Sequence, residues 1–510
     1  MSSKNLGRSM VWLIISELIF NLSGYIIHSS VGRILGPADY GRYGLVITLT
    51  TMIIVLIGNG IPTAMSKYIS EIFQTNPRLV LVIKRKAIIM QSILIGSITI
   101  IFFLSAPLIA KALGDQTLTK LFQISTTIIP AFAAASFYFS WFTGLHEFNT
   151  QSIQKTLRSI FRVFFIVGLA MVWKVPGSII GYAIAALSVF AVGFIMDQFK
   201  YTPRLKKAAT NQDLSLESDF EYKRLLNYAW QIIVFFLAYE LLISIDLYLV
   251  KGILHDDYLT GIYNAALTVG RIPYYIFYAL TIMLLPVISK STSSNNHKET
   301  NSIISQSLRL MIILLIPSVI LMSEFSRPII KIFYSAKYID AAYPMSILAY
   351  GVGFLTIFYV MSFVLNGAGK TKIPMWISIF GVIFNTTLNY FFIKNYGLAG
   401  SAIATTIASF AVMLAILYFI KKDFGVLISL QSLFKMSIAG IAMYLASLFF
   451  SKGEFIFLIW SIILFTFYLI ILYIIGEIKK DDLAYLKRIF SKKKKVQEIE
   501  EELSGNEPTA

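Results

Sequence analysis

The chain has 510 residues, 57% of them hydrophobic and 14% charged, with a mean hydropathy of +0.72 and a formal net charge of +17. A soluble globular protein carries about 45–50% apolar and about 25% charged residues, so this is the composition of a membrane protein, with no room for a soluble catalytic domain. The absence of cysteine removes thiol catalysis, cysteine-ligated zinc and disulfides, and the four histidines, His28, His146, His255 and His297, are too scattered to suggest a metal or cofactor site.

Apolar runs long enough to span a bilayer fall at roughly 10–32, 43–66, 87–106, 121–142, 160–173, 177–196, 225–250, 258–288, 304–323, 342–365, 373–393, 398–419, 431–450 and 455–476. The first follows Lys4 and Arg8 as a signal peptide would, but its length and the lack of a small-x-small cleavage site read as an uncleaved helix. The fifth is the weakest, with Arg158 and Arg162 at its start and Trp173-Lys174 at its end. With the N-terminus inside, the inner segments hold 32 Lys and Arg and the outer ones 11, so the positive-inside rule predicts both termini to be cytoplasmic. The net charge is then topological and calls for no nucleic acid, and Lys492 to Lys495 can also touch anionic membrane lipid.

The chain repeats itself. Ile34-Leu35, Asp39-Tyr40, Gly41 and Tyr43 recur as Ile253-Leu254, Asp257-Tyr258, Gly261 and Tyr263. Pro62 with Ser66-Lys67 recurs as Pro286 with Ser289-Lys290, Pro107 as Pro328, Gly144 as Gly367, and Gly181-Tyr-Ala-Ile-Ala as Gly400-Ser-Ala-Ile-Ala, all at spacings between 218 and 224. The predicted fold is an all-α polytopic membrane protein of about 14 transmembrane helices. Two six-helix lobes are related by a parallel internal repeat, because six is even, and a helix pair is appended. The boundaries read as an N-terminal lobe over 1–199, a cytoplasmic linker over 200–224, a C-terminal lobe over 225–420, the helix pair over 421–477 and a charged cytoplasmic tail over 478–510.

The motif from Arg33 to Gly44, with Gly58-Asn-Gly-Ile-Pro62 and Ser66-Lys67-Tyr68, resembles the polysaccharide-biosynthesis flippases of the Wzx type, and Leu365 to Lys372 looks like that family's loop after helix 10. The likeness covers essentially the whole chain, within the multidrug/oligosaccharidyl-lipid/polysaccharide exporter superfamily. It implies translocation of a polyprenyl-diphosphate-linked oligosaccharide or polysaccharide repeat unit from the cytoplasmic to the outer face of a prokaryotic cell membrane. It also implies no enzymatic activity and no cofactor, and other polysaccharide assembly proteins as candidate partners, while nothing in the sequence requires more than a monomer. The Gly367-Ala-Gly-Lys-Thr371 string resembles a phosphate-binding loop, but Val364 stands where that motif needs glycine.

Ionisable groups at membrane depth face a cavity or a partner. In the first run Glu17, Asn21, Gly24 and His28 share one helix face, and in the eighth Asn264, Thr268, Arg271, Tyr275 and Tyr278 do the same. Arg271 lies 13 residues past Tyr258, about 20 Å along the axis, and Pro273 is expected to kink the helix beside it. Arg271 reads either as the counter-ion of a diphosphate, with Asn264, Thr268, Tyr275, Tyr278, Asn21 and His28 around the substrate, or as an ion-pair partner of Glu240 or Asp246. Glu17, Glu240 and Asp246 are the embedded carboxylates available for ion or proton coupling, and Glu17 is the best candidate for a proton-coupled one, because desolvation at membrane depth would favour its protonated form. His28 reads as a helix-contact residue or a pH-responsive group, and Asn385 and Asn389 as interhelical hydrogen-bonding residues.

Other readings differ in what they require. A multidrug cation antiporter would favour an acidic cavity and usually 12 helices, and a membrane glycan polymerase or ligase needs a large external loop that this chain lacks. Lipid II flippases resemble the chain more closely. Their several arginines on helices 1, 2 and 8 are represented here by Arg271 alone, with Glu17 and His28 within helix 1, which favours some other glycan.

Overall fold

The computed structural model describes residues 3–58, 60–73, 75–210, 220–275, 277, 284, 288, 291–292, 297–450, 453 and 455–478. Among them every regular element is helical, and each of the fourteen apolar runs carries helix, as lipid demands of a backbone that must satisfy its own polar groups. In chain order these are α1 (Ser3–Leu35), α2 (Pro37–Gly58), α3 (Ile61–Ile72), α4 (Pro77–Ala112), α5 (Leu118–Ser125), α6 (Ile128–Gly144), α7 (Phe148–Arg162), α8 (Gly168–Met196), α9 (Thr202–Thr210), α10 (Tyr222–Leu254), α11 (Asp257–Gly270), α12 (His297–Glu324), α13 (Ser326–Phe333), α14 (Ala342–Gly367), α15 (Lys372–Phe424), α16 (Leu430–Ser447) and α17 (Ile456–Ile474). Side-chain caps mark three starts: Asn76 accepts from Leu79 N at 2.9 Å, Asp256 from Leu259 N at 3.0 Å and Ser429 from Ser432 N at 3.1 Å.

The fifth span differs from its sequence reading. It begins at Phe148 and passes through one π turn, Val163–Val167, so Arg158 and Arg162 lie inside the helix instead of at its flank. Hydropathy missed this turn because the inward face of α7 is polar, with Thr150, Ser152, Gln154, Arg158, Ser159 and Arg162 buried. The sixth span likewise continues through a second π turn, Asp197–Tyr201, and α9 to Thr210, past residue 199.

The internal repeat is explicit in the backbone. Within α8 the chain breaks at Lys174 (φ 52°, ψ −131°), and within α15 at Gly397 (φ 56°, ψ −135°). In the second copy the break reverses the chain, since Ser401 Oγ donates to Asn389 Oδ1 at 2.6 Å across twelve residues, a contact that a straight helix rising 1.5 Å per residue forbids. A Cβ on Gly177 would meet Leu169 O at 2.1 Å, and one on Gly400 would meet Phe392 O at 2.0 Å. Gly177 is therefore the structural counterpart of Gly400, four residues before the Gly181 that sequence similarity aligned with it. Gly144 and Gly367 do correspond, each being the last residue of its helix and each followed by the same pattern of turn hydrogen bonds.

Packing follows the same division. α1 lies on α7 and α6 on α8 in the first copy, while α10 and α14 pack on α15 in the second. α16 and α17 pair with each other and lean on α12. The apolar stretch ending at Gly367 is 78% buried, whereas that of α17 is 22% buried, which separates a central helix from one that presents its sides to lipid. The two copies meet where α2 crosses α11. There the repeated-motif glycines allow backbone contact, since a Cβ on Gly261 would sit 1.8 Å from Pro37 O and one on Gly41 2.4 Å from Asp257 O.

Candidate functional site

α11 stops at Gly270, Arg271 adopts a turn conformation (φ −82°, ψ 0°), and helix resumes through Tyr275. Pro273 accounts for the break, since its ring cannot follow a regular helical turn and it brings no N–H. The turn presents Arg271 to α10, where its guanidinium donates to Ile243 O. Arg271 also lines a small cavity of about 20 Å³ with Tyr239, Leu267, Tyr274, Thr405 and Ser409.

Several residues of the two polar stripes come together here. Thr268 Oγ1 donates to Asn264 O at 2.8 Å and lies 3.5 Å from Tyr40 Oη, which in turn lies 2.9 Å from His28 Nδ1. Asn264 is buried over Gly44 with its Nδ2 unpaired, and Tyr275 meets Tyr25 of α1 edge-on at 6.0 Å. His28 is thus placed by a hydrogen bond and by the rings of Tyr40 and Tyr43. Asn21 is half-buried on the same helix, and Tyr278 lies outside the described residues.

The carboxylates part company. Glu17 forms an ion pair with Lys155 at 2.9 Å, on the seam between α1 and α7. Asp246 is fully buried and accepts from Tyr263 Oη at 2.9 Å, Thr405 Oγ1 at 3.1 Å and Leu247 N at 2.9 Å. Its surroundings extend through hydroxyls and amides, with Asn389 Nδ2 donating to Asn385 O at 3.0 Å and Asn385 Nδ2 to Leu242 O at 3.1 Å. Glu240 is half-buried on α10. No contact within ion-pair distance joins Arg271 to Glu240 or Asp246 among the described residues; the turn at Gly270 aims the guanidinium at a backbone carbonyl, with both carboxylates within its electrostatic reach.

At the end of the seam formed by the α10–α11 connection, the two copies are tied together. Arg42 Nε contacts Asp257 Oδ2 at 2.7 Å, and Lys251 binds both Asp257 and Asp115, the latter at 3.2 Å. Tyr40 and Tyr334 share a hydrogen bond of 2.8 Å, Tyr338 Oη donates to Gly32 O at 2.7 Å, and Arg33 donates to Phe333 O at 3.2 Å. Burial pushes the Asp115 carboxyl up, but hydrogen bonds from Thr117 and Lys251 outweigh it and hold the group below its ordinary value. The remaining ion pairs among the described residues, Arg42 with Asp39, Lys84 with Asp197, Glu17 with Lys155, Lys370 with Asp423 and Arg309 with Glu477, each stay on one side of the 211–219 connection.

Sequence reasoning passed over Arg158 and Arg162. Both are 9% exposed on the inner face of α7 and lie against Phe20 of α1. Their spacing of four residues was the available signal, and it was read as a helix flank because the polar turn before it hid the start of the span.

Comparison with known proteins gives a consistent picture. The model of a family described as polysaccharide biosynthesis protein matches residues 6–292, and that of the MatE family matches residues 232–391. The lipid II flippase MurJ of Bacillus subtilis is 24% identical over 472 residues, covering 83% of this chain and 84% of that protein. The probable low-salt glycan biosynthesis flippase Agl15 of Haloferax volcanii is 27% identical over 152 residues, 30% of this chain and 32% of that one. A solved structure of lipid II flippase MurJ in an inward closed conformation superposes with a TM-score of 0.69 at 19% identity, covering 91% of this chain and 98% of that one, and so shares the fold.

Proposed function

The chain belongs to the polysaccharide biosynthesis protein family, within the multidrug/oligosaccharidyl-lipid/polysaccharide exporter superfamily, and on that premise we propose that it is a flippase carrying a polyprenyl-diphosphate-linked oligosaccharide from the cytoplasmic to the outer face of the cell membrane. The observation that carries this reading is Arg271, a guanidinium at membrane depth, set at a helix break beside a cavity and joined to no carboxylate among the described residues. A planar fork of donors suits phosphate oxygens. Moving an ionised head group through hydrocarbon unaided costs on the order of tens of kcal/mol by Born estimates, so a polar passage between two lobes must replace the lost hydration. Asn264, Thr268, Tyr275 and His28 line that passage in this proposal, with Asn21 and Tyr278 extending it for the sugar.

The lobes, residues 1–199 and 225–420, then rock about this site. With both termini cytoplasmic, the Arg42–Asp257 and Lys251–Asp115 contacts lie at the outer end and tie the two copies together there. Asp246 is the coupling carboxylate in this scheme. Its described hydrogen-bonding neighbours are neutral, and the charge within its reach is that of Arg271, so when Arg271 engages the substrate a proton or a monovalent cation compensates Asp246 in this proposal.

The similarity to Bacillus subtilis MurJ over most of the chain favours a second reading, in which the cargo is lipid II. Transport in proteoliposomes, scored by outward accessibility of the sugar, separates the two when each lipid is offered alone. Arg271→Ala is expected to abolish movement of the lipid-linked oligosaccharide while expression and insertion stay normal; wild-type movement of lipid II only, or undiminished export by the mutant, would overturn the assignment.

A further inference from the structure

Three of the five N–H donors of Arg162, those on Nε and Nη1, are unused among the described residues. The side chain is 9% exposed, its Nε and Nη1 are enclosed without a hydrogen-bond partner, and no carboxylate lies within ion-pair distance. The nearest anionic group on the facing helix, Glu17, is occupied by Lys155. One turn earlier, Arg158 is enclosed to the same degree and reaches the hydroxyl of Tyr182. Two like charges at i and i+4 repel each other, and a buried cation without a counter-ion is costly at membrane depth. A structural role for the pair would require acceptors, and among the described residues none reaches Arg162 Nε or Nη1.

What the protein supplies instead is a set of aromatic faces. Phe20 lies 4.7 Å from the Arg158 guanidinium and 4.6 Å from that of Arg162. Phe132 is 4.2 Å from Arg158, and Tyr182 is 5.3 Å from Arg162. Rings hold a guanidinium in place through its flat face, and they leave the in-plane N–H groups, which recognise phosphate, free for another partner. Both arginines border α1: Arg162 lies on Phe20, and Tyr275, one helical turn past Arg271, meets Tyr25 edge-on at 6.0 Å. His28 and Tyr275 lie within electrostatic reach of both guanidinium groups.

We propose that Arg162, supported by Arg158, is a second anion-binding residue, so that a diphosphate between the repeats is held by Arg271 from one half and Arg162 from the other. This rests on the reading of the cargo as a diphosphate-linked lipid, and it predicts a preference for diphosphate over monophosphate. A single guanidinium binds a monophosphate and a diphosphate alike, whereas two on opposite walls favour the longer, more highly charged group. It also links recognition to movement, since a ligand bridging both halves couples their relative positions.

The test is binding to the full-length protein in nanodiscs, with polyprenyl diphosphate, polyprenyl monophosphate and inorganic pyrophosphate as probes and phosphatidylglycerol as the competing headgroup. Wild type, Arg162→Gln, Arg162→Lys and Arg271→Ala are compared, with thermal unfolding measured for each. Arg162→Gln is expected to weaken diphosphate binding on the order of tenfold, the loss of about one charge-assisted hydrogen bond, to leave monophosphate binding near the wild-type level, and to keep or raise Tm. Arg162→Lys should fall between. If Arg162→Gln binds diphosphate like wild type while Arg271→Ala does not, the second site is refuted and the proposed function stands. Arg162-dependent pyrophosphate binding without lipid transport would keep the site and refute the cargo. A lowered Tm with all probes weakened equally, or phosphatidylglycerol displacing every probe, would reduce Arg162 to a structural or general lipid contact and overturn the proposal.

Discussion

Three embedded charges illustrate how differently one chain can treat an ionised side chain in a membrane. Glu17 is neutralised by Lys155, and both side chains are mostly enclosed. Arg271 is given a backbone carbonyl, and Asp246 is given hydroxyl and backbone donors with no cation among them. Asp246 therefore carries the strongest expectation at this scale. Asp246→Asn keeps the size and most of the hydrogen bonds while removing the charge, so transport by the mutant should become insensitive to an imposed ion or proton gradient. A gradient response equal to that of wild type would assign coupling elsewhere.

Among the elements, the paired breaks at Lys174 and Gly397 show what repetition preserves. Both residues have positive φ with ψ near −130°, a region that a side chain reaches only at a cost of about 1–3 kcal/mol. The second copy carries glycine there and the first does not. Lys174→Gly should therefore raise thermal stability by roughly 1 kcal/mol, and Gly397→Ala should lower it by a similar amount; opposite shifts in detergent unfolding would refute the strain. α7 gives a second lesson. Its burial is set by the partner it faces, so a helix with a polar inner side eluded a search for apolar runs, and the two arginines that occupy that side were displaced from the membrane in the sequence reading.

At the level of the whole molecule, the seam between the repeats is closed at one end by side chains from α1, α2, α10 and α11, by Asp115 of the α4–α5 connection and by Tyr334 and Tyr338, which follow α13. The double variant Arg42→Ala, Asp257→Asn removes the ion pairs that join Asp257 to both copies while leaving each half intact. It is expected to lengthen the distance between spin labels placed on α2 and α11 at that end and to shift the population toward opening; an unchanged distance distribution would show that the tyrosine contacts suffice. The pH response has a defined sign. Because Asp115 is held below its ordinary value of 3.8, its contribution to closure is fully present above that value and is lost only as the pH falls below it. Neutral to mildly acidic media should therefore leave the Lys251–Asp115 tie in place.

The sequence by itself determined the membrane setting, the positions of the spans other than the fifth, the parallel repeat and the presence of one arginine at depth with a proline beside it. These are properties of composition and period, and each is read within a single segment or by comparing one segment with its copy. Even there, the glycine at the last turn of the repeat was aligned four residues out of place, because matching letters could not sense which glycine lies against a carbonyl. Only the tertiary structure decided which polar groups meet: Glu17 with Lys155, His28 with Tyr40, Arg42 with Asp257, and Arg271 with the carbonyl of Ile243. The physical reason is that hydropathy reports the cost of exposing a whole helix to lipid, whereas the partner of a buried charge is chosen across helices more than a hundred residues apart in sequence or around a break in the backbone, and at those points a single turn of helix rotation changes the outcome.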